Sequence, residues 1–204
     1  MAKRPATIQG FIRRFYPCSE ARKWLRTQPS LADAWKRCPR SDWLGWVTER
    51  VGTYEEKKYL LALAFREIKV AFFWIEETQS FPEGFMDAAW ELYNMLLERC
   101  QRGQGPTGEI TVKQRDLERI AFREWRLGLP NTVAAVLDIL RVAVFLNFQQ
   151  IGELLGSAIP NIYCTAELIR PSVEDNIQQC EAVYSDWDRK MLRRMHRKLQ
   201  NPWA

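Results

Sequence analysis

Residue types able to do acid–base, nucleophilic or metal chemistry are sparse in this chain. Its one histidine, His196, lies inside the basic run RRMHRK. A serine or cysteine nucleophile needs a positioned, oriented base, so any such mechanism would have to pass through His196. The five cysteines, Cys18, Cys38, Cys100, Cys164 and Cys180, are scattered. There is no Cys-x-x-Cys, His-x-x-x-His or Glu-x-x-His, the spacings that gather ligands around a metal. Cys18 and Cys38 alone do not complete a zinc site. Gly103 and Gly108 have the separation of a phosphate loop, but Glu109 and Ile110 follow where Lys and Ser/Thr are needed. The pairs Glu55/Glu56 and Glu76/Glu77 are adjacent on expected helices and so point in different directions, unlike an acid–base dyad. No catalytic residue, metal or cofactor is expected, and the chain reads as a non-enzyme.

The specific pattern lies elsewhere. Four of the nine tryptophans fall between Cys18 and Trp46. Pro29 and Pro39 divide this stretch into three short pieces. Ser19, Ser30 and Ser41 are the expected caps, because a serine oxygen can accept an orphan N–H of the first helical turn. Leu31, Ala34, Trp35 and Cys38 share one face of the second piece, and Trp43, Trp46, Val47 and Arg50 follow helical spacing in the third. Gly52 ends it. The first ten residues read as a loose basic arm.

Helical signals continue downstream. Thr53 and Glu56 form a capping-box pattern for a long helix to about Glu77. Its stripe is Leu60, Leu61, Ala64, Phe65, Ile68, Phe72 and Ile75. The next helix starts near Pro82 and runs through Trp90, Tyr93, Leu96 and Leu97 to Arg102. Gly103 to Gly108 is the main break. Thr111 and Gln114 repeat the box pattern for a helix to Leu127, closed by Gly128. Asn131 can cap an apolar helix that bends near Gly152 or Gly156. Pro160 and Pro171 bracket a short helix. Ser172 can cap the last region, kinked near Ser185. Sustained period-two alternation is lacking. The expected fold is all-α, a compact bundle of roughly eight to ten helices. It reads as a single helical domain over 1–204, with sub-lobes 1–102 and 110–204 joined by the Gly-rich loop 103–109 as the finer division.

The apolar run Val133 to Phe148 contains Asp138 and Arg141 and is too short and charged to span a bilayer. No apolar signal region is present at the N-terminus, and the cysteines read as reduced, mostly buried thiols. A cytoplasmic protein with no membrane partner is expected.

Charge is uneven. Residues 1–40 carry +8, residues 185–204 carry +4 and the middle carries −7. Two basic segments are candidate contact surfaces for nucleic acid or an acidic partner. One is Arg13, Arg14, Arg22, Lys23 and Arg26, interleaved with Phe11, Phe15, Tyr16 and Trp24. The other is Arg189, Lys190, Arg193, Arg194, Arg197 and Lys198. In the same helix Trp187, Met191, Met195 and Leu199 recur at helical spacing, which also fits a terminal amphipathic helix docked on the core. The signature rings read mainly as core. Trp43, Trp46, Trp187 and Trp203 are the candidates for an exposed anchor.

The segment around Cys18, Glu20, Ala21, Trp24, Ala34, Trp35, Cys38, Arg40, Asp42, Trp43, Leu44 and Trp46 resembles the N-terminal signature of an immunity-protein-like helical family of bacteria and phages. The match covers about the first fifty residues. The alanine-rich second half common in that family is replaced here by a more aromatic one with a basic end. The resemblance implies an α-helical fold and a bacterial or phage-encoded origin, and it carries no catalytic site. The expectation is a macromolecular binding protein, of immunity or anti-defence type, that occludes a protein target. The alternative is a nucleic-acid-binding protein or ribonucleoprotein subunit, which requires the two basic ends to converge.

Overall fold

The computed structural model describes residues 5–78, 80–102, 104, 107–124, 131–144 and 173–204. These residues form nine helices and no strand. In order they are α1 (Ile8–Phe15), α2 (Ser19–Leu25), α3 (Leu31–Lys36), α4 (Ser41–Val51), α5 (Tyr54–Thr78), α6 (Phe85–Gln101), α7 (Gly108–Glu124), α8 (Asn131–Val144) and α9 (Val173–Lys198). The all-α expectation holds.

The predicted α5 stripe is buried along its whole length, from Leu60 to Ile75. Its capping box is formed: the Thr53 amide donates to Glu56 at 2.7 Å, and the Glu56 amide donates to the Thr53 hydroxyl at 3.3 Å. Around α5 pack α4, α6 and α8, while α7 packs on α6 and α8, and α9 lies on α4. One hydrophobic cluster runs from Trp35 through α5 to α8 and on to Leu199. A second is built from Phe11, Ile12, Leu25, Leu31 and Ala34.

Several local expectations are corrected. Residues 8–10 belong to α1 instead of a loose arm, because Thr7 caps that helix by accepting from the Gly10 amide and Phe11 is buried in the second cluster. Cys18, not Ser19, caps α2: its sulfur accepts the Ala21 amide at 3.4 Å. Ser41 is the first residue of α4, not its cap. Its amide donates instead to Asp188 of α9 at 2.8 Å. The Thr111/Gln114 box is unused, since α7 starts earlier and the Thr111 hydroxyl donates to the Thr107 carbonyl. The expected features at Leu127, Gly128, Gly152, Gly156, Pro160, Cys164, Pro171 and Ser172 lie outside the described residues.

Two glycines have structural reasons. Gly84 precedes α6 at φ 74°, a left-handed conformation that costs glycine little. At Gly52, a Cβ would lie 2.5 Å from the Thr48 carbonyl oxygen, so only glycine lets the chain leave α4 this closely.

Candidate functional site

The tryptophan segment is held by three short helices, each started by a different kind of acceptor. Cys18 serves α2. Ser30 serves α3, accepting the Asp33 amide at 3.0 Å. Asp188 serves α4 from a helix far along the chain, and also accepts the Ser41 hydroxyl. Helices this short have little stability of their own, so caps and packing fix where their rings point.

The rings converge from both chain ends. Trp24 lies 5.6 Å from Trp43, Phe11 lies 6.1 Å from Trp46, and Phe11 and Trp35 lie 5.7 and 6.4 Å from Trp203. Trp203 donates its indole N–H to the Pro5 carbonyl at 2.9 Å, and Asn201 donates to the Ala32 carbonyl at 3.1 Å. Between these rings lies an open cavity of about 380 Å³. All four signature tryptophans line it, with Trp203, and Cys18 and Cys38 join its wall. Trp24, Val47 and Trp203 border both hydrophobic clusters, so the cavity sits at the seam between them.

Two guanidiniums face the rings. Arg40 lies 5.0 Å from the Trp43 ring centroid and Arg50 lies 3.8 Å from that of Trp46. Arg40 also holds Asp42 at 2.8 Å and Glu20 at 3.0 Å. The hydrogen bonds that Arg40 donates to Asp42, together with the charges of Asp42 and Glu20, push the Arg40 pKa up. Sequence reading missed Arg40 and Arg50 as site residues. The signal was there: Arg40/Trp43 and Trp46/Arg50 are three and four residues apart, a spacing at which helical side chains meet.

Of the described thiols, Cys38 is buried and Cys100 is half-buried. Burial pushes the Cys38 thiol up to about 12 and the Cys100 thiol up to about 11, far from thiolate at neutral pH. Ser41 is fully buried. His196 packs its ring edge-on to Trp35, and burial lowers its pKa. Among the described residues, no group of three or more His, Cys, Asp or Glu is placed to hold a metal ion. No described helix is long and apolar enough to cross a membrane.

The predicted basic residues divide. Arg13, Arg14, Arg22, Lys23 and Arg26 are exposed, with Arg14 set against Phe15. Arg193, Arg197 and Lys198 are also exposed. Arg189 and Lys190 flank Asp186 at 3.9 and 2.6 Å. Arg194 turns inward to pair with the buried Glu67, so it is structural and does not join the outward set. Trp187 is 8% exposed and packs in the core with Met191, Met195 and Leu199, which removes it as an exposed anchor. Trp43, Trp46 and Trp203 are half-buried at the cavity. No family model matches the chain, and neither does any curated protein or solved structure.

Proposed function

We propose that this chain is a non-enzymatic binding protein that grips a protein partner through the tryptophan cavity and works by occlusion, as an immunity or phage anti-defence inhibitor does. The supporting observation is the cavity itself, a concave wall of five indoles at a seam between two packed clusters. Tryptophan carries a disproportionate share of binding energy where a pocket excludes water around it. At about 380 Å³ the cavity falls toward the small end of ligand pockets, which span ~300–1,000 Å³, and suits a single anchoring group. No cofactor is needed. A cytoplasmic site of action goes with this reading, since the described cysteines are free thiols.

The test is paired affinity capture with the wild-type chain and an Ala34→Phe variant, which fills the cavity wall. Trp43→Ala provides an independent loss of the anchor surface. A protein retained by the wild type and lost from both folded variants is the expected result. Equal capture by all three chains would remove the cavity as the anchor.

A second reading, nucleic-acid binding, is favoured by one observation: the C-terminal tail bonds to the N-terminal segment, which brings the two chain ends together. Its test is fluorescence anisotropy with labelled single- and double-stranded DNA and RNA at low and near-physiological salt. The diagnostic variant replaces Arg189, Arg193 and Arg197 with Gln and spares Arg194, whose loss would strand Glu67. A steep salt slope that flattens in this variant would support the reading.

A further inference from the structure

We infer that the guest of the tryptophan cavity is an acidic peptide segment carrying one large aliphatic or aromatic side chain. This inference rests on the cavity being a partner site and specifies what that partner presents.

The wall chooses an apolar group. Its lining is mostly hydrocarbon and aromatic ring, and several of its polar side chains are already occupied within the chain. Arg40 is bound by Asp42 and Glu20, Cys38 donates its thiol proton to the Arg40 carbonyl, and the Trp203 N–H is donated to Pro5. A guest rich in polar groups would find few replacement bonds on so carbon-rich a wall, and leaving such groups unpaired is costly. Unpaired nucleobases meet this difficulty, because their edges are polar. A cation is disfavoured for a different reason: the Trp43 and Trp46 rings already face Arg40 and Arg50. What this largely carbon wall suits best is a hydrocarbon or ring.

The surroundings choose the flanking charge. Residues 5–52 contain nine Lys/Arg and four Asp/Glu. All four acids are engaged locally: Glu20 and Asp42 by Arg40, Glu49 by Arg50, and Asp33 by the Ser30 hydroxyl. Arg13 on α1, and Arg22, Lys23, Arg26, Lys36 and Arg37 on or beside α2 and α3, are exposed. The seat is therefore mostly carbon-lined and belongs to a segment with a net positive charge. Carboxylates around an apolar anchor complement both parts, and their attraction raises association rate and selects against basic partners.

The experiment uses the full chain and fluorescein-labelled peptides read by anisotropy. The probe has three acidic residues on each side of one phenylalanine. One control replaces phenylalanine with serine, and another replaces the acids with lysine. The expected result is binding of the acidic anchor peptide at least about tenfold tighter than both controls, weakening with salt. Ala34→Phe should abolish it. Arg22→Glu with Arg26→Glu, two exposed changes that leave the core untouched, should weaken it by about tenfold. Equal binding of the lysine peptide, with loss in Ala34→Phe, would overturn the acidic class while leaving the cavity as a partner site. Equal binding of the serine peptide would overturn the anchor. Failure of every peptide, with cavity-dependent protein capture intact, would overturn the guest class alone. Failure of both would overturn guest and cavity together. Cavity-dependent binding of a single-stranded oligonucleotide in place of the peptide would also overturn it.

Discussion

Arg194 sits among six basic residues of the last helix and is indistinguishable from them by type, yet it is the one that faces Glu67. Glu67 is 6% exposed, so removing its partner leaves a carboxylate without compensation. Arg194→Gln is predicted to lower unfolding free energy by about 1–3 kcal/mol, below the cost for a fully buried pair because the arginine is partly solvated. Arg193→Gln, an exposed neighbour, should stay within about 0.5 kcal/mol. Urea denaturation of the two variants checks this. The thiols make a second residue-scale prediction. Cys18 is exposed and should react readily with an aromatic disulfide reagent in the native state. Cys38 and Cys100 should resist until denaturant is added, because burial raises both. Mass mapping of the labelled cysteines would show the order. Periodicity made Trp187, Met191, Met195 and Leu199 legible as a buried stripe. Which arginine turned inward was not legible, because Glu67 is remote in sequence.

At the scale of elements, Asp188 is the clasp between α9 and α4. Its carboxylate accepts both the Ser41 amide and hydroxyl, replacing the side-chain cap that Arg40 does not provide. Asp188→Ala is predicted to cost about 1–2 kcal/mol, and Asp188→Asn less, because an amide oxygen still accepts these bonds. Burial raises the Asp188 pKa, while the bonds from Ser41 oppose that rise. A raised carboxyl binds its proton more tightly when folded, so this group favours folding as pH drops through its titration. His196 runs the other way. Burial lowers its folded pKa, so the folded state disfavours its proton. Its contribution is complete above about 6.5, the ordinary histidine value, and is lost as pH falls below it. His196→Gln should therefore reduce the loss of stability between about pH 7 and 5, measured by urea midpoints across that range. The caps at Ser30 and Thr53 were readable from adjacent residues. The caps from Cys18 and Asp188 were not, since sulfur is an uncommon acceptor and a partner from a distant helix leaves no local pattern.

For the whole molecule, the decisive feature is that the two chain ends close one cavity. Helical class was legible across the described residues, because the apolar spacing repeats in nearly every segment. The tryptophan signature was also legible, but as core. Its concavity depends on Trp203 crossing back to Pro5 and Phe11, which no sequence window contains. Removing residues 201–204 should open one wall, lower the unfolding midpoint and weaken cavity-dependent binding, while leaving α5 to α8 folded. Loss of all helicity on that truncation would show that the tail organises the bundle instead of finishing the site.

The most direct measurement is a set of indole N–H resonances in a ¹H–¹⁵N spectrum, assigned by single Trp→Phe substitutions, as the acidic anchor peptide is added. The account predicts that Trp24, Trp43 and Trp46 shift with a single saturable isotherm, while Trp90 and Trp187, which lie off the cavity wall, stay in place. Binding that leaves the three cavity indoles unmoved, or that moves Trp90 instead, would contradict the claim that this chain works through its tryptophan cavity.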